Sequence, residues 1–85
     1  MQLEIITPQK SLFSDEAKLI QLPGERGLFE ILDNHAPIIA VLKEGTIKVQ
    51  DSKGNLHFFE ITQGFVECKQ NKTIVLASKA IRSSV

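Results

Sequence analysis

Apolar residues in this chain recur with a period of two, and that period decides between helix and strand before any other signal does. Gly45-Thr46-Ile47-Lys48-Val49-Gln50 alternates cleanly, with Ile47 and Val49 on one side of an extended chain and Thr46, Lys48 and Gln50 on the other. Successive side chains of a strand point to opposite faces, so a segment of this kind buries one face and wets the other. Leu3 to Thr7 opens as a strand that Pro8 ends, and Ser11-Leu12-Phe13 begins a second. Lys18 to Leu22 forms a third, with Lys18, Ile20 and Leu22 expected on one face. Asp51 to Asn55 has the composition of a hairpin turn. Its partner strand, Leu56 to Ile61, carries the adjacent Phe58 and Phe59, so one face meets the core and the other meets something else; His57 is expected on an exposed strand. Gly64 marks a corner or bulge. Phe65 to Lys69 and Thr73 to Ala77 form a last hairpin, and Ser78 to Val85 is expected to make one turn at the terminus. Turn signals recur about every 8–12 residues, which predicts an all-β fold: a two-sheet antiparallel β-sandwich of about eight to ten short strands.

The chain has 85 residues, the size of a single domain over 1–85. Its 42% hydrophobic and 24% charged content is that of an ordinary globular domain. The longest apolar run, Pro37 to Leu42, falls far short of the ~20 residues a spanning helix needs, so no direct membrane insertion is expected. Ten basic and ten acidic residues leave no net charge, and there is no Tyr or Trp to stack on bases; nucleic-acid binding is disfavoured. Cys68 is the single cysteine, and Met1-Gln2-Leu3-Glu4 does not resemble an export signal. A reducing, cytosolic compartment and a monomeric state in isolation are the expectations.

No constellation for chemistry stands out. His35, His57 and Cys68 are the soft ligand candidates and no pair has metal spacing, so no metal is expected. Cys68 shares a strand face with Val66 and reads as a small buried residue. The serines sit in turns or tails without an elbow motif, and Gly24-Glu25-Arg26-Gly27 is too short and too charged to cradle a phosphate. No catalytic residue and no cofactor are expected.

The richest stretch is Leu22 to Leu42, LPGERGLFEILDNHAPIIAVL. Pro23-Gly24 signals a turn, Gly27 can take a positive φ, and Leu28 to Leu32 is a short strand ended by Asp33-Asn34. Pro37 forces Ala36 to be extended, and Ile38 to Leu42 returns to a core. This pattern resembles the signature of the epsilon subunit of F-type ATP synthases, roughly LPG-x-x-G-E-F-G-I-L-P-G-H-A-P-L-L-T-x-L. It matches at Leu22-Pro23-Gly24, Gly27, Phe29, Ile31-Leu32 and His35-Ala36-Pro37, and departs at Leu28, Glu30 and Asp33-Asn34. Ile5-Thr7-Pro8, Leu42 to Gly45, Gly64 to Cys68, Ile74 to Ala77 and Ala80 to Arg82 fall in the family's order, so the resemblance covers essentially the whole chain.

The resemblance implies the amino-terminal β-sandwich of that subunit, without the carboxy-terminal helical hairpin that follows it in most family members. It implies a non-catalytic central-stalk role, bound to the gamma subunit and resting on the membrane c-ring at the cytoplasmic face of the bacterial plasma membrane. Rotation driven by ion flow would then be coupled to ATP synthesis in the head. A ring-facing surface is expected at Glu25, Arg26, Leu28, Phe29 and Glu30, with Glu30 able to replace the acid missing at position 28. A gamma-facing surface is expected at His35, Ile38, Ala40, Leu42 and Thr46, with His35 also tethering its loop to backbone carbonyls. With no hairpin after Val85, no helical brake on hydrolysis is expected. The alternative is a lipoyl- or biotinyl-type carrier sandwich presenting Lys53 at a hairpin tip, here in the context Ser52-Lys53-Gly54.

Overall fold

A single 14-residue strand, Ser11–Gly24, organises the molecule, where the sequence suggested two strands. The structure is a computed structural model that describes residues 1–83. Among these the strands are β1 (Gln2–Ile6), β2 (Ser11–Gly24), β3 (Gly27–Leu32), β4 (Ile38–Leu42), β5 (Gly45–Asp51), β6 (Leu56–Ile61), β7 (Gly64–Lys69), β8 (Lys72–Ala77) and β9 (Ala80–Ser83). The first half of β2 pairs with β1, and its second half lies between β3 and β5. Register shifts between Ala17 and Leu19, so Lys18 is the extra residue of a bulge. Ala17 therefore takes the inward position and Lys18 is exposed, instead of sharing a face with the buried Ile20 and Leu22.

The hydrogen-bonded order is β1-β8-β7-β4-β2-β5-β6-β9, with β3 on β2 and β1 also on β2. One layer is thus β4-β7-β8-β1 with the start of β2; the other is β3-β2-β5-β6-β9. Both belong to one all-β sandwich. Every pairing is antiparallel except β1 with β8, which is parallel. Those two strands are joined by no hairpin, so no short connection forces opposite directions. The expected turn at the terminus is instead β9, whose residues from Ala80 to Ser83 pair with Ile61 to Phe58 of β6; Ser84 and Val85 lie outside the described residues.

Alternation fills the core. Leu3 and Ile5, Ile47 and Val49, Phe59 and Ile61, Val66 and Cys68, Val75 and Ala77 are buried pairs two residues apart on five strands. Gly64 opens β7 directly after the bend at Thr62 and Gln63, the expected corner, and its pairing with Leu42 and Ala77 carries no bulge. Gln70 and Asn71 join β7 to β8 with φ of 54° and 59°, the left-handed pair that suits a two-residue hairpin.

The Asp51 to Asn55 turn is built around one carboxylate. Asp51 Oδ1 accepts the backbone N–H groups of Lys53 and Asn55, each at 2.9 Å. Its Oδ2 lies 2.9 Å from His57 Nε2, and the imidazole meets the Phe13 ring edge-on at 5.1 Å. His57 is accordingly half-buried and not exposed, because it ends the inward face that also carries Phe59 and Ile61.

Two predictions follow from this packing. A Cβ on Gly24 would lie 2.9 Å from both the Gly27 carbonyl and the Phe29 ring, so Gly24→Ala should overpack the hairpin. The expected loss is about 2 kcal/mol in urea unfolding; an unchanged midpoint would show that the ring moves freely aside. The hydrogen bond from His57, then those from Asn55 and Lys53, hold the Asp51 carboxyl down from 3.8 to about 2. A depressed carboxylate contributes stability that is present above its unfolded value and is lost as pH falls through its folded one. The stability gap between the protein and Asp51→Asn should therefore be fully present at about pH 5 and close as pH falls toward 2. A gap that persists unchanged at the acid end would contradict this.

Candidate functional site

The segment from Leu22 to Leu42 forms a hairpin, a pinned loop and a return strand. Gly24 pairs with Gly27 across Glu25 and Arg26, and Gly27 has φ of 129°, a conformation open to glycine. Among the described residues β3 is an edge strand, paired with β2 alone. Its outward positions are Leu28 at 68% exposure, Glu30, and Leu32 at 50%. Glu30 accepts a bond from Gln21 Nε2 at 3.3 Å across the ladder. Glu25, Arg26, Leu28 and Glu30 thus gather on one exposed corner. Phe29 does not join them: it is on the opposite face, half-buried, with its ring over Gly24.

After β3 the chain is tied down by polar contacts. The Asn34 N–H donates to Asn71 Oδ1 at 2.7 Å with Asn34 at φ 64°, and the His35 N–H donates to the Leu32 carbonyl at 3.1 Å. His35 Nδ1 lies 2.6 Å from the Ala36 carbonyl, so the ring does bond to backbone as expected. Asp33 Oδ1 accepts from the Met1 amino group at 2.5 Å. Bonds from that amino group and from Asn71, with lesser help from the backbone of Asn34, lower the Asp33 pKa. A loop held this way presents its neighbours with little freedom left to lose.

The residues expected to face gamma are not brought together. Leu42 is 1% exposed in the core, and Ile38 and Ala40 are half-buried against it, because the three are spaced by two along β4 and share its inward face. Thr46 is on another layer, on the outer face of β5, where its hydroxyl donates to Glu60 Oε2 at 2.6 Å. The outward side of β4 instead carries Ile39 at 73% exposure and Val41 at 54%. Cross-strand pairing extends Val41 to Phe65, Phe65 to Leu76 and Leu76 to Ile6, an apolar row across four strands. Open grooves of about 460 and 450 Å³ flank Phe65 on its two sides. The sequence did hold a signal for this face. Ile38 to Leu42 is apolar at all five positions, which marks a strand covered on both sides rather than one side.

Other candidates stay apart. Lys53 stands exposed at the tip of the β5–β6 turn, and Cys68 is buried with its Sγ 4.0 Å from the His35 carbonyl. Among the described residues no three His, Cys, Asp or Glu side chains are grouped to hold a metal. No helix there is long and apolar enough to cross a membrane.

Comparison with known proteins bears directly on this arrangement. Residues 1–83 match the family described as ATP synthase, Delta/Epsilon chain, beta-sandwich domain. The ATP synthase epsilon chain of Chlorobaculum tepidum is 42% identical over 77 residues, covering 91% of this chain and 88% of that protein. The ATP synthase epsilon chain of Campylobacter curvus is 38% identical over 81 residues, and there the match spans 95% of this chain but 63% of the relative's length. A chain in the Euglena gracilis mitochondrial ATP synthase structure, OSCP/F1/c-ring, superposes with a TM-score of 0.86 at 16% identity, over 96% of this chain and 52% of that one. A second, in the central stalk/c-ring structure of Tetrahymena thermophila mitochondrial ATP synthase, gives 0.81 at 20% identity, over 95% and 65%. At such identities these two speak for the fold. The strand order, the hairpin built on Gly24 and Gly27 and the family match over residues 1–83 together establish that the chain belongs to the ATP synthase delta/epsilon family, as its β-sandwich domain.

Proposed function

We propose that this domain is a non-catalytic piece of the central stalk of an F-type ATP synthase, clamped to a gamma subunit and resting on the c-ring. It is peripheral to the membrane, at the cytoplasmic face of a bacterial plasma membrane, and passes rotation from the ring toward the head that makes ATP. The observation that carries this reading is the apolar row Val41-Phe65-Leu76-Ile6 left uncovered on a domain of this family. A small domain rarely leaves such a strip to water unless a partner covers it. The row and Ile39 are assigned to gamma, in place of the inward-facing Ile38, Ala40 and Leu42.

The corner at Glu25, Arg26, Leu28 and Glu30 is assigned to the ring. Its mixed charges suit polar loops, and edge charges of this kind set orientation and encounter rate more than affinity. Phe29 supports that corner from behind. His35 and Asn34 hold the loop between the two faces, so docking on either side orders little new chain. Nothing in this role requires a reacting group.

The test is binding of the domain to purified gamma subunit by calorimetry. Val41→Asp or Phe65→Asp should weaken it by about 2 kcal/mol or more, roughly thirtyfold, as for a central apolar anchor. Their melting temperatures should stay within a few degrees of the parent, because both side chains already face water. Undiminished binding by both variants would remove the row from the gamma interface.

A further inference from the structure

Among the described residues β9 is the shortest strand. Its four residues there pair with β6, and Ile81 turns out to solvent at 72% exposure. On its inward side Ala80 packs against the core, and Arg82, itself exposed, reaches back over the same face. That guanidinium lies over the Phe59 ring, 5.2 Å from its centroid, and bonds His57 Nδ1. On the other side of the imidazole, Nε2 is 2.9 Å from Asp51 Oδ2.

The protonation state of the imidazole is dictated by its two neighbours. A guanidinium has donors and no acceptor, so Nδ1 must offer a lone pair; a carboxylate accepts only, so Nε2 must carry the hydrogen. The chain therefore runs Arg82 to His57 to Asp51 as two donations through a neutral ring. From these contacts we propose that His57 is a proton-operated latch that holds β9 on the edge of β6 when neutral and releases it when protonated.

A proton arriving from solvent binds Nδ1, which removes the acceptor that Arg82 uses and sets two cations side by side. Asp51 keeps its bond to Nε2–H in either state and steadies the imidazolium. The asymmetry gives the switch its direction. Asp51 belongs to the β5–β6 turn and is present whether β9 is docked or not, whereas Arg82 is present only when it is docked. Protonation of Nδ1 thus costs a contact only in the docked form, and lowering the pH moves the population toward release. β2 contributes the Phe13 ring and, two residues on along the same face, the exposed carboxylate of Asp15; β5 contributes Val49 beside Asp51. Lys48 and Glu60 project from the outer face, as do the exposed Glu16 and Lys18 of β2. Imidazole is the side chain whose type titrates between about pH 5 and 8, the range a cell can reach. Release would bare the β6 backbone from Phe58 to Ile61, an edge able to accept another strand.

The experiment is amide exchange of β9 by NMR in the whole chain, corrected for the intrinsic effect of pH, with the His57 ring resonances followed in the same samples. Protection of the β9 amides relative to those of β7 should fall about tenfold between about pH 8 and 5, on the scale of one lost charged hydrogen bond. Its midpoint should coincide with that of the ring. His57→Gln should show protection that no longer depends on pH, and so should Arg82→Gln, which removes the cation without touching the imidazole. β9 remaining equally protected while the ring titrates, or a pH-dependent loss that survives in Arg82→Gln, would overturn the latch.

Discussion

β2 is used twice. Its first half completes the layer containing β1, β8, β7 and β4, its second half is the middle of the layer containing β3, β5, β6 and β9, and the bulge at Lys18 is where it changes direction. The far end of β2 then closes back on the first layer: Gly24 pairs with Leu42, and the Lys43 N–H donates to the Pro23 carbonyl at 2.9 Å. Pro23 has no N–H of its own to place, and its ring is buried beside Gly45. The corner at β3 and the apolar row that starts on β4 therefore spring from the same few residues. Two surfaces joined so closely by backbone hydrogen bonds cannot shift independently, which is the property a part that transmits force between two partners needs.

The distribution of apolar side chains is consistent with such a part. The core is closed by pairs of buried residues on successive strands, while Ile39, Val41 and Phe65 remain outside it. Burying a side chain of that size is worth about 1.5–3 kcal/mol. A domain of this length has only ~5–15 kcal/mol of net stability, so leaving several outside is a substantial amount to forgo. In the proposed docking that burial would be realised. The loop at Asn34 and His35 is already ordered by side-chain and backbone hydrogen bonds, so little of the gain is spent on fixing chain.

Much of this was legible from residues alone, for reasons that can be named. Gly45 to Gln50 alternates cleanly, so both its state and its inward face are readable. Leu22 to Pro37 carries turn chemistry specific enough to suggest a family, and the match over residues 1–83 agrees with it. β2 looks like two strands in sequence because Ser14, Asp15 and Glu16 interrupt the apolar pattern, and a bulge is invisible to a strict period of two. β4 shows no face in sequence because all five of its residues are apolar, so nothing local tells the inward Leu42 from the outward Val41. His57 and β9 depended on contacts far along the chain, with Phe13 and with the edge of β6, and no local pattern encodes these. In each case tertiary pairing decided what local preference left open.

The central claim is that one rigid corner presents two different faces to two different partners. The most direct measurement places a photo-crosslinking residue at Leu28 or at Val41 of this chain within the assembled ATP synthase and identifies what each captures. The account predicts capture of the c-ring from position 28 and of gamma from position 41, with neither position capturing both. Capture of gamma from position 28 and of the ring from position 41, or of neither subunit from either position, would contradict it.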